Sequence, residues 1–416
     1  MASKDFSVVI IGGGMCGVAC AVALHRAGMK VHLYEAAPKF EEVGAGVGLG
    51  PNAVQALEGL GILEDVVAKA VPPKLAMRPY TFISGYGEHE HLYDYALSSD
   101  ELGLSIYRPV FLDALIPTID PQYTHFNMRC TSVSLLPSGK QVVTFEDGTA
   151  VEADLVVGSD GIKSTIRPYV AGKSEHKQLA SANTATYRAL VSISELKKAG
   201  VKTDLTRPLL WCGSDSHMVT YPIRANELLN VGAVKVWGRT PSPPVTGPWV
   251  QTVTPEELLD EFADWGSDMK ILLKHIKNPS KWFMHTVSPP LEHYVRDSVV
   301  LVGDAAHAMV PHLSAGVGQG FEDVYALYRL LIHPQTNASN LQKVLDVYDF
   351  LRPPRANMVA QRSRRMGEIY QSYGKDRYNR TDMQKNLRGM WEPVWHYDLK
   401  YAVSKELEKL YPGSKL

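Results

Sequence analysis

Residues 6–17 read FSVVIIGGGMCG, a continuous apolar and β-branched run that leads into a glycine-rich turn. A run of this kind is typical of a buried parallel strand. A helical pattern follows from residue 18 to 27, Gly28 is placed to end it, and residues 31–34 form a second apolar run. The chain therefore opens with a β-α-β unit, which predicts an α/β fold.

The glycines have the spacing Gly12-x-Gly14-x-x-Gly17, which is that of a dinucleotide-binding turn. Such glycines permit a tight turn and let a pyrophosphate approach the N-terminus of the helix. Glu35 stands at the end of the second strand, where a carboxylate can accept hydrogen bonds from ribose hydroxyls. Because the motif follows a strand, opens a helix and has its acidic partner, a dinucleotide site is favoured over a plain glycine-rich turn.

Two later segments repeat the pattern of an apolar strand that ends in a polar turn. Residues 155–158 lead into Asp160-Gly161, and residues 299–302 lead into Gly303-Asp304. A glycine-rich turn at 316–320 is expected to open a helix at 321–332, and its positive end suits a negatively charged group. Asp304 is placed to accept from a sugar-alcohol hydroxyl.

The first domain is interrupted. Residues 184–237 alternate with period two, which predicts a mostly antiparallel sheet inserted between the α/β segments. The expected fold is a discontinuous, doubly wound nucleotide-binding domain with an inserted, largely antiparallel β substrate domain and a helical C-terminus. The expected boundaries are 1–78, 103–180 and 285–370 for the first domain, 79–102 and 181–284 for the substrate domain, and 371–416 for the helical segment.

The composition of the 416 residues is ordinary, with 45% hydrophobic and 21% charged residues and a net charge of −1. This balance gives no indication of attraction to nucleic acid or to an acidic membrane. No apolar stretch of about 18 residues is present, so we expect no membrane span. His89 and His91 lack further spaced ligands, so we expect no metal site. Five arginines within 352–365 indicate a solvated helix face.

The four cysteines show no CxxC pairing and fit a reducing compartment. The last three residues, Ser414-Lys415-Leu416, match a peroxisomal address that an import receptor recognises. We therefore expect a peroxisomal protein, with a cytoplasmic location as the alternative, and a monomer or a homodimer.

Taken together, these motifs resemble the single-component FAD-dependent aromatic hydroxylases, the group A flavoprotein monooxygenases. GGGMCG with Glu35, the segment around Asp160 and the segment around Asp304 match that family in order and spacing. GAGVGLGPN at 44–52 and YRPVFL at 107–112 look like family flavin-contact segments. The C-terminal WEPVWHYD at 391–398 is similar to the end of salicylate hydroxylase-type members in particular.

The resemblance implies FAD as cofactor and NAD(P)H and O₂ as co-substrates. NAD(P)H would reduce FAD, O₂ would add at the flavin C4a, and the resulting hydroperoxide would transfer OH to an electron-rich ring. No second strand-GxGxxG-helix-acid unit is present in the sequence, in agreement with the single dinucleotide fold of the family. The residues expected to hold FAD are Gly12, Gly14, Gly17, Glu35, Arg108, Asp160, Asp304, Gly316 and Gly318.

His217 and Tyr221 are the expected catalytic pair. They are four residues apart in a period-two segment, so they point to the same face of a strand. Histidine is the side chain whose ordinary pKa lets it take a phenol proton near neutral pH, with Tyr221 as an orienting partner. In related hydroxylases of phenolic acids, a histidine and a tyrosine with this spacing lie over the flavin.

A phenolic acid needs its carboxylate bound or expelled. Ipso attack beside a phenolate would release CO₂, as the resemblance to salicylate hydroxylases implies. Arg188 and Lys235 lie on neighbouring predicted strands and are expected to meet a carboxylate, with Pro311 as a further substrate contact. Leu313-Ser314 departs from the Gln-Gly that is common in the family after Pro-His, which leaves the polar contact there open.

The predicted function is NAD(P)H- and O₂-dependent hydroxylation of a small aromatic substrate, with decarboxylation of salicylate or a related monohydroxybenzoate favoured. One alternative is hydroxylation without decarboxylation, or dearomatisation of a larger phenol. An alternative of another class is a flavin-binding redox sensor without turnover. The pair His217/Tyr221 and the complete segment at Asp304 argue against the sensor.

Overall fold

The computed structural model describes residues 4–40, 46–76, 79–98, 101–172, 178–223, 226–374 and 376–413. Gly44 and Ala45 of the predicted flavin segment lie outside the described residues. So do Ser414, Lys415 and Leu416, and the expected peroxisomal address stays a prediction.

The strands are numbered in chain order. They are β1 (Val8–Ile11), β2 (Val31–Tyr34), β3 (Gly46–Leu49), β4 (Thr81–Ser84), β5 (His91–Asp94), β6 (Leu104–Tyr107), β7 (Thr124–His125), β8 (Cys130–Leu135), β9 (Gln141–Phe145), β10 (Ala150–Ala153), β11 (Leu155–Gly158), β12 (Leu179–Ser192), β13 (Leu209–Cys212), β14 (Ser216–Ile223), β15 (Leu228–Val236), β16 (Val250–Thr252), β17 (Ser280–Val287), β18 (Val295–Arg296) and β19 (Val299–Leu301).

The helices are numbered in the same way. They are α1 (Met15–Arg26), α2 (Pro51–Gly59), α3 (Leu63–Lys69), α4 (Arg108–Leu115), α5 (Arg167–Ala171), α6 (Ile193–Lys198), α7 (Pro255–Glu261), α8 (Ser267–Lys274), α9 (Asp304–His307), α10 (Gly316–Ile332), α11 (Leu341–Tyr370), α12 (Arg380–Leu387), α13 (Glu392–Trp395) and α14 (Leu399–Leu410). Within the described ranges, none of them is long and apolar enough to cross a membrane.

A six-stranded sheet in the order β18-β19-β11-β1-β2-β7 forms the core of the first domain. All its pairs are parallel except β18 with β19, and Ile11 pairs with Gly158, which pairs in turn with Leu301. The carboxyl ends of β1, β11 and β19 therefore lie side by side. Because ligands of open α/β sheets bind beyond these ends, the three predicted motifs meet at one edge although they are far apart in sequence.

The second large sheet has eight strands in the order β16-β17-β12-β15-β14-β13-β4-β5. Its pairs are antiparallel except β13 with β4, which confirms the prediction of a largely antiparallel second sheet. One face, with Tyr187, Met218 and Ala233, packs against α6, α7 and α8. The other face turns toward the C-terminal helices. It carries the side chains of the strand residues that alternate with those of the first face.

Helix α11 corrects the expectation of a solvated arginine face for two of its five arginines, whereas Arg364 and Arg365 are exposed. It runs for 30 residues with Pro353 and Pro354 inside it. Arg352 and Arg355 are buried, with 0% and 5% of their surface exposed. Their charge is compensated by buried carboxylates of α10, because an unpaired guanidinium in the core would cost several kcal/mol.

Candidate active site

The turn after β1 has the shape that its glycines predict. A Cβ added at Gly17 would lie 1.9 Å from the carbonyl oxygen of Gly12, and one at Gly12 would lie 2.5 Å from that of Ser159. Gly12 also has a φ of +104°, where a side chain is strained. Gly14 is the N-cap of α1 and offers no side-chain cap. The N-terminus of this helix therefore presents backbone N–H groups to an anion.

Glu35 at the end of β2 organises this turn. Its Oε2 accepts from the N–H of Gly13 at 2.6 Å, and its Oε1 accepts from the N–H of Ala37 at 2.7 Å. Each carboxylate oxygen retains a further lone pair. Glu35 is thus held in place by backbone donors and can still accept a hydrogen bond from a ribose hydroxyl.

Asp160 joins the second motif to the same edge. Its Oδ2 accepts from the N–H groups of Thr165 and Ile166 at 2.7 and 3.2 Å, and burial raises the pKa of its carboxyl. Its Oδ1 is buried and has no hydrogen-bond partner among the described residues. A buried carboxylate oxygen without a partner costs free energy, so this atom fits a site that a ligand completes.

Arg167 connects the second motif to the third. Its guanidinium is buried and donates to the carbonyl oxygens of Ala305 at 3.0 Å and Ile162 at 2.6 Å. The turn at Gly303 has φ +62°, which favours glycine, and Asp304 follows it as an exposed residue at the start of α9. Asp304 is therefore accessible at the edge where the predicted flavin groups meet.

The glycines at 316–320 do not form a turn before a helix, because α10 already begins at Gly316. Their role is close packing. A Cβ at Gly318 would lie 3.2 Å from Cβ of Ala53, and one at Gly320 would lie 2.4 Å from Sγ of Cys16. Helix α10 thus approaches α1 and α2 at a distance that larger residues would prevent.

These residues fit FAD. The glycine cradle, the uncapped start of α1 and the unpartnered Oδ1 of Asp160 lie at one sheet edge, as a dinucleotide requires. Gly12, Gly14, Gly17 and Glu35 would hold the adenosine and pyrophosphate side, and Asp160 and Asp304 would lie toward the ribityl chain. FAD, when bound, supplies the electron transfer and oxygen activation that amino-acid side chains lack.

His217 lies on the face of the eight-stranded sheet that turns toward the C-terminal helices, and it is buried, with 1% of its surface exposed. Its ring contacts those of His312 and Tyr370, with centroids 5.1 and 5.3 Å away. Its Nδ1 lies 3.2 Å from Nε2 of Gln371. Burial, and to a lesser degree His312, holds the pKa of His217 well below its ordinary value, so its neutral form is favoured.

Tyr221 shares this face, but its charged neighbours are Arg188 and Arg108 rather than the residues around His217. Burial raises its pKa, whereas the positive charges of Arg188 and Arg108 act to lower it. The guanidinium of Arg188 lies 4.8 Å from the ring centroid of Trp282. Because four strand residues span about 13 Å, His217 and Tyr221 lie at separate ends of the site rather than in contact. Arg108, expected at the flavin, is also within electrostatic range of Arg188.

Lys235 does not meet Arg188, and the expected pairing of these two cations is wrong. Lys235 pairs with Ala185 in the sheet register, whereas Arg188 pairs with Gly232, so they project from opposite faces. The Nζ of Lys235 instead donates to the carbonyl oxygen of Glu261 at 3.3 Å on the helix-covered face. Adjacent strands put the two residues near each other in the plane of the sheet, but the pleat separates their side chains.

The segment after Pro311 supplies a residue that the prediction left out. Pro311 itself is exposed, and its carbonyl accepts from the N–H of Ser314. His312 turns inward against Gly367, where a Cβ would lie 2.3 Å from its ring. Burial lowers the pKa of His312 to about 4. Leu313 packs in the apolar cluster of the C-terminal helices and makes no polar side-chain contact.

His312, Tyr370 and Gln371 were missed as site residues for different reasons. The position of His312 after Pro311 was a usable signal, since it follows the motif at Asp304. Tyr370 and Gln371 come from the end of α11, and no pattern in that segment points to His217. No group of three or more potential metal ligands occurs in the part of the chain that the structure describes.

Comparison with known proteins identifies the family. Residues 5–363 match the family model described as FAD binding domain. The chain is 38% identical over 414 residues to a salicylate hydroxylase of Pseudomonas putida, with 96% of this chain and 94% of the relative covered. It is 32% identical to 6-methylsalicylate 1-monooxygenase of Aspergillus terreus, with 98% and 91% covered.

A solved structure leads to the same family. The structure titled salicylate hydroxylase substrate complex superposes with a TM-score of 0.85 at 30% identity, and the match covers 96% of this chain and 98% of that one. The flavin-binding edge described above and the full-length matches support one assignment. This chain belongs to the FAD-dependent aromatic hydroxylases of the salicylate hydroxylase type.

Proposed function

We propose that the protein hydroxylates salicylate or a closely related monohydroxybenzoate at the carboxyl-bearing carbon, with release of CO₂ and with NAD(P)H and O₂ consumed. The names of the relatives support a hydroxybenzoate substrate, and the face of the eight-stranded sheet supports it independently. One feature of this face carries the proposal, namely the placement of Arg188 and His217 on the same face, on either side of Gly232.

Gly232 lies between the two groups that a phenolic acid needs. It pairs with Arg188 on one side and with Val219 on the other, and His217 is two residues from Val219 on the same face. A Cβ at Gly232 would be in ordinary van der Waals contact with Cγ2 of Thr186 at 3.5 Å, so the glycine keeps this part of the face low. A small aromatic ring bound across Gly232 would have a guanidinium toward one end and an imidazole toward the other.

The side chains then have distinct tasks. Arg188, supported by the positive charge of Arg108, binds the carboxylate, because a guanidinium pairs with a carboxylate in a charge-assisted contact. His217 is the group on this face that can receive the phenol proton, because burial favours its neutral form and a neutral imidazole has a free nitrogen lone pair. A phenolate is the better electron donor at the ring carbon. Tyr221 orients the substrate beside Arg188.

The decisive experiment uses the purified yellow holoprotein with salicylate carrying label either in the ring or in the carboxyl group. We expect labelled CO₂ from the carboxyl-labelled substrate and labelled catechol from the ring-labelled one, with stoichiometric oxidation of NADH or NADPH. A dihydroxybenzoate product that retains the carboxyl label would contradict decarboxylation and favour the non-decarboxylating alternative. A panel of hydroxybenzoates is then tested with NADH and with NADPH, and the rates of nicotinamide oxidation are compared.

The variant His217→Ala separates the role of this residue from FAD binding. We expect turnover of salicylate near neutral pH to fall by 10²-fold or more, as for loss of a general base, while FAD stays bound. Unchanged turnover would remove His217 from the catalytic residues. Absence of NADH and NADPH oxidation with every phenolic acid would favour the flavin-binding sensor.

A further inference from the structure

A buried charge cluster lies behind the edge where FAD binds. It consists of Glu322 and Asp323 on α10 and Arg352 and Arg355 on α11, each at most 5% exposed. Burial acts to raise the pKa of both carboxyl groups, yet the nearby positive charges hold it below the ordinary value. Both acids are therefore charged although they are out of contact with water, and the cluster depends on its internal hydrogen bonds.

Asp323 faces the third motif. Its Oδ2 accepts from the backbone N–H of Gly303 at 2.9 Å and is 2.6 Å from Nε2 of His307. Its Oδ1 accepts from Nε of Arg352 at 2.7 Å. The backbone immediately before Asp304 is thus attached to a charged side chain, and that side chain is held by α11.

Glu322 faces the opposite wall of the cleft. Its Oε1 accepts from Nδ2 of Asn52 at 2.7 Å, and Asn52 ends the predicted flavin-contact segment in the first turn of α2. Its Oε2 accepts from Nη1 of Arg352 at 2.9 Å and from Nε of Arg355 at 3.0 Å. Arg355 also donates to the carbonyl oxygen of Val394 in the C-terminal segment.

One guanidinium therefore connects two walls. Arg352 binds the adjacent acids Asp323 and Glu322 with different nitrogens, and these acids bind the segments at Gly303 and Asn52 respectively. A lysine would present a single charged nitrogen and could not form this fork. Loss of the fork leaves a buried carboxylate without its partner, and the backbone at Gly303 then loses its fixed position.

We propose that Arg352 and Asp323 are positioning residues for FAD, which set the backbone at Gly303-Asp304 relative to the wall at Asn52. They act through the backbone turn and through Glu322 rather than by touching the cofactor. Their loss weakens FAD binding and alters the surroundings of the flavin beyond any general loss of stability.

The test compares Asp323→Asn with Asp268→Asn as a matched control. Asp268 is also a buried aspartate whose Oδ2 accepts from two backbone N–H groups, those of Lys202 and Thr203, but it lies in the substrate domain. For each variant, FAD release on dilution of the holoprotein is followed by flavin fluorescence. Flavin absorption bands and the thermal midpoint in excess FAD are recorded alongside.

We expect Asp323→Asn to raise the dissociation constant of FAD by about tenfold or more, because a buried charge-assisted hydrogen bond is worth about 1.5–3 kcal/mol. We expect its flavin bands to shift, whereas Asp268→Asn lowers only the thermal midpoint. Arg352→Lys keeps the charge and is the milder change, so its dissociation constant for FAD should lie between those of the wild type and Asp323→Asn. This variant replaces Asp323→Asn in the test if Asp323→Asn does not fold. Wild-type FAD affinity and spectrum in Arg352→Lys or Asp323→Asn, with a lowered thermal midpoint, would overturn the proposal.

Discussion

The amide nitrogen of Gln371 lies 3.2 Å from Nδ1 of His217. An amide nitrogen only donates, so in this orientation Nδ1 accepts and the ring proton of neutral His217 lies on Nε2. For His217 to take a phenol proton at Nε2, the Gln371 amide has to reverse and present its oxygen to an N–H at Nδ1. Gln371 therefore controls which nitrogen of His217 is able to act as the base.

Gln371→Glu tests this relationship. A carboxylate accepts from Nδ1–H permanently and favours the imidazolium, so the pKa of His217 should rise. We expect the acidic limb of the pH profile of kcat/KM for salicylate to move up by about one unit, with turnover retained at higher pH. Gln371→Leu, which neither donates nor accepts, should lose turnover without that shift. An acidic limb that stays in place in Gln371→Glu would contradict the role of Gln371.

The histidine pair predicts a dependence of stability on pH. Burial lowers the pKa of His312 to about 4, and that of His217 is lowered as well, whereas both titrate near 6.5 in the unfolded chain. Below pH 6.5 the unfolded state binds more protons than the folded state. These histidines should therefore not reduce the free energy of unfolding above pH 6.5. Below that value, the free energy of unfolding should fall as the pH drops toward 4.

His312→Gln removes one of these groups. In urea titrations between pH 4.5 and 7, we expect the variant to show a shallower decrease in the free energy of unfolding than the wild type, by at most ~1.4 kcal/mol per pH unit. Carboxylates with lowered pKa, such as Asp215, contribute in both proteins and cancel in the difference. Equal slopes in the two proteins would show that His312 is protonated in the folded state as easily as in the unfolded chain.

Gly17→Ala should abolish FAD binding. The added Cβ would lie 1.9 Å from the carbonyl oxygen of Gly12, so the turn that holds the pyrophosphate has to open. Gly28→Ala is the control, because Gly28 has φ +80° but no atom within 4 Å of an added Cβ. We expect it to lower stability by about 1 kcal/mol and to retain the flavin. The flavin content of the two purified proteins decides the matter, and a yellow Gly17→Ala protein would contradict the assignment.

Arg188→Ala and Lys235→Ala should differ in their effect on the substrate. Arg188 projects from the face with His217, and Lys235 projects from the other. Loss of a carboxylate partner is worth about 1.5–3 kcal/mol, so Arg188→Ala should raise KM for salicylate by about tenfold or more, while Lys235→Ala leaves it within about twofold. Equal effects of the two variants would place the carboxylate elsewhere.

The flavin edge was predictable because its motifs are local. Gly12 and Asp160 each follow the end of an apolar strand, Gly17 lies in the helix that the first strand leads into, and parallel strands bring such ends together without further information. The glycines from 316 to 320 were predicted to open a helix beside the flavin, and their packing contacts were not foreseen. They allow α10 to pack closely on Cys16 and Ala53, and packing partners from distant segments leave no trace in the local pattern.

The face of the eight-stranded sheet that carries His217 shows more clearly how much of the site the sequence alone can predict. Period two in the sequence is enough to place His217 and Tyr221 on one face, and this was confirmed by the register. Whether Lys235 shares the face of Arg188 depends on the register between two strands more than thirty residues apart, and a shift of one residue reverses the answer.

The sequence by itself determined the β-α-β start, the glycine turn with its acid, the order of the three motifs and the family to which the chain belongs. These features depend on the spacing of neighbouring residues. Only the tertiary structure decided that His312 and Gln371 enclose His217, that Lys235 faces away, and that Arg352 is buried between two acids. Such contacts join segments that meet only after the chain has folded, because they depend on which faces of separate elements are packed together.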